Sequence, residues 1–61
     1  MKTIHYEDPA TKTMFHEFID TSFIKLSELR SEYEKKDYKT WLNNYNTLSG
    51  EFILTVMEVR P

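Results

Sequence analysis

The 61-residue chain reads as an α+β domain, and three features of the sequence predict that class. From Met14 to Tyr33, apolar residues recur at spacings of three and four. From Glu51 to Val59 the composition turns β-branched and apolar. Near the start, Lys2 to Tyr6 alternates in the manner of a short strand. The expected architecture is a short N-terminal strand, a long amphipathic helix, a short second helix and a C-terminal strand. The two strands would form a two-stranded sheet packed on the helices, as a single small domain over residues 1–61.

Each element has a local reason. In the first strand Ile4 and Tyr6 share one side, and Thr3 and His5 the other, as suits a half-buried strand. Asp8-Pro9 then reads as a helix start. The Asp8 carboxylate can accept from free first-turn amides, and Pro9 sits where its missing N–H costs nothing. The helix expected from Pro9 to Lys35 sets Phe15, Phe18, Ile19, Ser22, Leu26, Leu29 and Tyr33 within an arc of roughly 100° on the helical wheel.

After Asp37 the apolar positions are Tyr38, Trp41, Leu42, Tyr45 and Leu48, still at spacings of three and four. Their centre is rotated by roughly 120° from the first stripe, which places a break near Lys36-Asp37 and a second short helix capped by Asp37. Gly50, the only glycine, would end that helix in the left-handed position. In the last strand Phe52, Leu54 and Val56 face one way, and Ile53, Met57 and Val59 the other. With both faces apolar, that strand should be covered twice or lie at a subunit contact.

A helix of about 27 residues is about 40 Å long, whereas a compact chain of this length is roughly 27 Å across. The overhanging stripe would need a partner, so a homodimer is expected. Domains this small are marginal alone, and the absence of cysteine removes disulfides, thiolate zinc sites and cysteine nucleophiles.

Composition narrows the function. A hydrophobic content of 39% with four Phe, four Tyr and one Trp is that of a folding chain rather than a disordered tail. The net charge of −2, with both signs interspersed, gives no basic footprint for nucleic acid. No run approaches the roughly 18 apolar residues of a membrane span, and the N-terminus lacks an apolar signal segment. A cytoplasmic protein without membrane association is expected.

Catalysis has little to stand on. Glu17, Asp20, Glu28, Glu32 and Glu34 interleave with Lys25 and Arg30, as on a solvated helix face. The serines lack a nucleophile-elbow context, and one glycine cannot build a phosphate cradle. His16 and Asp20, one helical turn apart, could offer two metal ligands, but the only other histidine, His5, lies on a different element. No catalytic residue, metal or cofactor is assigned, and the chain is read as non-enzymatic.

The aromatic cluster Tyr33, Tyr38, Trp41 and Tyr45 is the candidate partner-binding set, because Tyr and Trp combine large contact area with few rotatable bonds. The same rings could instead be core. The function expected is a small protein-binding module (inhibitor, adaptor or regulator) that occludes the surface of a partner protein. Small inhibitory proteins of mobile elements share this general character.

The alternative is a dimeric DNA-binding regulator. A strand followed by two helices resembles the layout of the ribbon-helix-helix repressors, which dimerise through the N-terminal strand. The resemblance is one of element order. It implies that Lys2, Thr3 and His5 would face a DNA groove, and a dimer could assemble a basic patch from Lys2, Lys35, Lys36 and Lys39. The chain departs from that pattern in its longer first helix, its additional C-terminal strand and its net negative charge.

Overall fold

The computed structural model describes residues 1–58 and corrects the expected architecture. The order is β1 (Lys2–Asp8), β2 (Thr13–Asp20), α1 (Phe23–Glu34), β3 (Lys39–Asn46) and β4 (Glu51–Met57). The four strands form one antiparallel sheet in the order β1-β2-β4-β3. Among the described residues there is one helix of 12 residues in place of a long one and a short one, and four strands in place of two. The class remains α+β. Strands β1 and β4 lie where the composition put them; Val59, Arg60 and Pro61, expected to end the last strand, lie outside the described residues.

The signals read as helix boundaries belong to hairpin turns. Asp8-Pro9 opens the four-residue β1–β2 connection. The Asp8 side chain accepts from Ala10 N at 3.0 Å, the Asp8 carbonyl accepts from Lys12 N at 2.7 Å, and Lys12 takes φ 58°. The β3–β4 connection repeats this design. Asn46 Oδ1 accepts from Leu48 N at 3.0 Å and Ser49 N at 3.4 Å, and Gly50 closes the turn at φ 74°. In both, an Asx side chain satisfies loop amides and the last loop residue is left-handed.

Helix α1 starts at Ser22, whose hydroxyl accepts from Lys25 N at 3.3 Å. It ends in a Schellman arrangement: Tyr38 N donates to Tyr33 O at 3.2 Å and Asp37 N to Glu34 O at 3.1 Å, with Asp37 at φ 63°. Asp37 therefore terminates the one helix and caps no second one. At 12 residues α1 is about 18 Å long, so the overhang from which a homodimer follows is not present.

The helix lies against β2, β4 and β3. Leu26, fully buried, meets Phe18, Leu54 and Val56, and Leu29, Tyr33, Tyr38, Leu42 and Phe52 pack around them. Arg30 ties the helix to β3 through Thr40 Oγ1 at 3.1 Å. This is a two-layer molecule, 15 Å thick in its shortest dimension. One face of the sheet carries the helix. The other carries no layer among the described residues.

Candidate functional site

Strand alternation decides what the open face displays. Since Phe18, Leu54, Val56 and Leu42 point to the helix, their neighbours point away from it. The pairing register sets these residues in rows across β1-β2-β4-β3. One row is Lys2, Ile19, Ile53 and Asn43. The next is Ile4, Glu17, Thr55 and Trp41. The third is Tyr6, Phe15, Met57 and Lys39.

Seven of these twelve residues are apolar or aromatic, with aromatic residues toward both edges. Tyr6 stacks on Phe15 at 5.1 Å with 12° between the rings. Trp41 lies on the other edge strand. These two edge rings remain 42% and 44% exposed, while Ile19 on the same face is 3% exposed. No helix of the described residues is long and apolar enough to cross a membrane, so the patch is not part of a helical span.

Near the centre of the face stands the Glu17 carboxylate, half-buried and flanked by Ile4 and Thr55. Tyr6 Oη donates to Glu17 Oε2 at 3.5 Å. Loss of solvent around the phenol raises the Tyr6 pKa, and the Glu17 charge and its hydrogen bond raise it further. Among the described residues no basic nitrogen pairs with Glu17.

The four rings picked out by the sequence are divided between the faces. Tyr33 and Tyr38 stack on each other at 5.6 Å on the helix side, packed against the core. Trp41 is on the open face. Tyr45, 53% exposed, sits in the irregular step of β3 between Asn44 and Asn46. The lysines are divided as well. Lys2 and Lys39 occupy opposite edge strands of the open face, whereas Lys35 and Lys36 follow the end of α1. There Lys35 faces Glu32 at 3.8 Å, and Lys36 lies over the Tyr33 ring at 5.5 Å.

A second polar cluster lies on the helix side, beyond the end of α1. His5 Nδ1 and His16 Nδ1 are 2.7 Å apart, His16 Nε2 is 3.9 Å from Glu58 Oε1, and Tyr38 Oη donates to the same oxygen at 3.1 Å. The His pair is a hydrogen-bonded contact between edge and inner strand, with the donor set by the tautomers. His16 and Asp20, being four residues apart on a strand, are about 13 Å apart and cannot share an ion. No group of three or more potential ligands able to hold a metal occurs among the described residues.

The sequence marks Ile53 and Met57 only as the second apolar side of the last strand, to be covered or to meet a subunit, and gives Tyr6, Phe15 and Glu17 no place in a binding surface. The signal was the two-sided apolarity of β4: Leu54 and Val56 are buried under the helix, while Ile53 and Met57 lie on the open face. No protein-family model, curated protein or solved structure matches this chain.

Proposed function

We propose that this protein is a non-enzymatic binding module that acts through the open face of its sheet, occluding a functional surface of a partner protein as an inhibitor, adaptor or regulator. The observation that carries this reading is the uncovered apolar face with Tyr6 and Trp41 half exposed at its two edges. A sheet normally buries such a face against a second layer, and contiguous apolar surface with aromatic anchors is characteristic of interaction sites.

A sheet bearing exposed rings is also a platform on which nucleic-acid bases stack. Here Lys2 and Lys39 stand only at the edges of the face, the Glu17 carboxylate between the rings would repel a phosphate chain, and the net charge of −2 supplies no basic groove. The ribbon-helix-helix layout needs a second helix, and the described residues form only one. Both points favour a protein partner.

The test is affinity capture from native lysate at moderate salt, with nuclease, using the wild-type chain beside Trp41→Ala and Ile4→Lys. A stoichiometric protein band retained by the wild type and lost from both variants supports the reading. A band retained equally by all three places the interaction elsewhere, and capture that vanishes with nuclease replaces the protein partner with nucleic acid.

A further inference from the structure

We infer that the partner presents an arginine side chain, set within an apolar surface, to Glu17; this rests on the proposed use of the open face. Glu17 is half-buried in the middle row of the face, has Tyr6 Oη as its only hydrogen-bond partner among the described residues, and forms no ion pair within 4.0 Å, although Lys2 stands one row away on β1. A partner that covers Ile4, Phe15 and Met57 must also cover this carboxylate. Removing it from water without a counter-charge costs several kcal/mol, and a guanidinium offsets that with paired, charge-assisted hydrogen bonds. The ring of Tyr6 on one side, and that of Trp41 about 10 Å away across Thr55, offer faces on which the guanidinium plane and its alkyl stem can lie.

Two features of the face count against a second copy of this chain as the occupant. A two-fold face-to-face pairing would bring two Glu17 carboxylates together near the axis, because Glu17 and Thr55 occupy the middle of the four-strand row. The face is also small. Four strands and three rows span roughly 15 by 20 Å, on the order of 300 Å², against about 800 Å² per partner in a stable interface. Apolar area alone would not hold such a contact. A charged anchor at its centre supplies the specificity and much of the affinity.

The test uses a random 12-residue peptide library panned on the immobilised protein, followed by synthetic peptides. The expected result is enrichment of sequences with an arginine between apolar residues, whose binding is lost in Trp41→Ala. Citrulline in place of that arginine should weaken binding to the wild type by about 10- to 100-fold. Glu17→Gln should cause a similar loss, with no further loss when the two changes are combined.

Peptides that need Trp41 and Ile4 but show no basic preference, and are indifferent to citrulline, would overturn the arginine inference and leave the binding face standing. Peptides indifferent to Trp41→Ala, or no enrichment at all, would count against both. The citrulline comparison is made on the unaltered protein, so it decides the matter even if Glu17→Gln disturbs folding.

Discussion

Tyr38 donates its backbone N–H to the carbonyl of Tyr33 at 3.2 Å, and the two rings stack at 5.6 Å with 22° between their planes. One residue pair thus closes the helix, turns the chain into β3 and seals the end of the core. The hydrophobic contact between these positions is the usual companion of a Schellman ending. Here it continues inward, since Tyr33 lies 5.7 Å from Phe18. Tyr33→Ala and Tyr38→Ala should therefore each cost about 2–3 kcal/mol of stability. Trp41→Ala, on the open face, should cost less than about 1 kcal/mol. Urea unfolding of the three variants separates core rings from surface rings, and equal losses would contradict the division.

Asp37 holds φ 63°, a conformation that costs most L-residues about 1 kcal/mol or more. Asp37→Gly should raise stability by about 0.5–1 kcal/mol, less whatever the added freedom of the unfolded chain removes. In a domain of this size that corresponds to a rise in Tm of a few degrees, on the order of 3–6 °C. Asp37→Val should act in the opposite direction. Thermal unfolding followed by circular dichroism reads both, and a lower Tm for the glycine variant would mean that the Asp37 side chain contributes more than its backbone strain costs.

The two faces of the sheet explain which parts of this fold are legible in the sequence. Leu26, Leu29 and Tyr33 form a true helical stripe, and α1 lies there. In β2 the helix side carries His16 and Phe18 and the open side carries Phe15 and Ile19, so a strand apolar on both faces imitates spacings of three and four. The segment from Tyr38 into β3 does the same, with Tyr38 and Leu42 on one side and Trp41 on the other. Periodicity separates helix from strand only when one face is polar. Asp8-Pro9 was ambiguous for a related reason, because an Asx side chain that accepts from amides two residues on starts a tight turn as well as a helix. The clearest hint of the site is β4, apolar on both sides, one of which has no cover among the described residues.

Asp20 contributes to the acid side of stability. Its carboxylate accepts from Ser22 N at 3.0 Å, the largest of the influences that hold its pKa below the usual aspartate value; the N-terminal amine, 4.0 Å away, and Thr21 add to it. A carboxylate whose folded pKa is depressed contributes stability that is fully present above its unfolded pKa, near 3.8. That contribution is lost as pH falls through the lower folded value. Urea midpoints measured from pH 6 down to pH 2 should fall with acid in the wild type and fall less in Asp20→Asn. The asparagine keeps an oxygen for Ser22 N and has no charge to lose. Parallel curves for the two proteins would remove Asp20 from the acid dependence.

Tyr6 and Glu17 make the corresponding test on the alkaline side and bear directly on the open face. Partial desolvation of the phenol raises its pKa most, followed by the charge and hydrogen bond of Glu17. A raised folded pKa means that stability is intact below the unfolded value of 10.0 and declines as pH rises through the folded one. Glu17→Gln removes the charge and leaves the stacking on Phe15, so the Tyr6 phenol should titrate earlier than in the wild type while staying above its ordinary value. Observing the Tyr6 ring carbon beside the hydroxyl by NMR, from pH 8 to pH 12, follows this one phenol among four. An unchanged Tyr6 titration in Glu17→Gln would mean that the carboxylate is turned out to solvent, away from the ring. It would then no longer stand as an unpaired charge within the apolar face, and the case for an arginine at that position would fall with it.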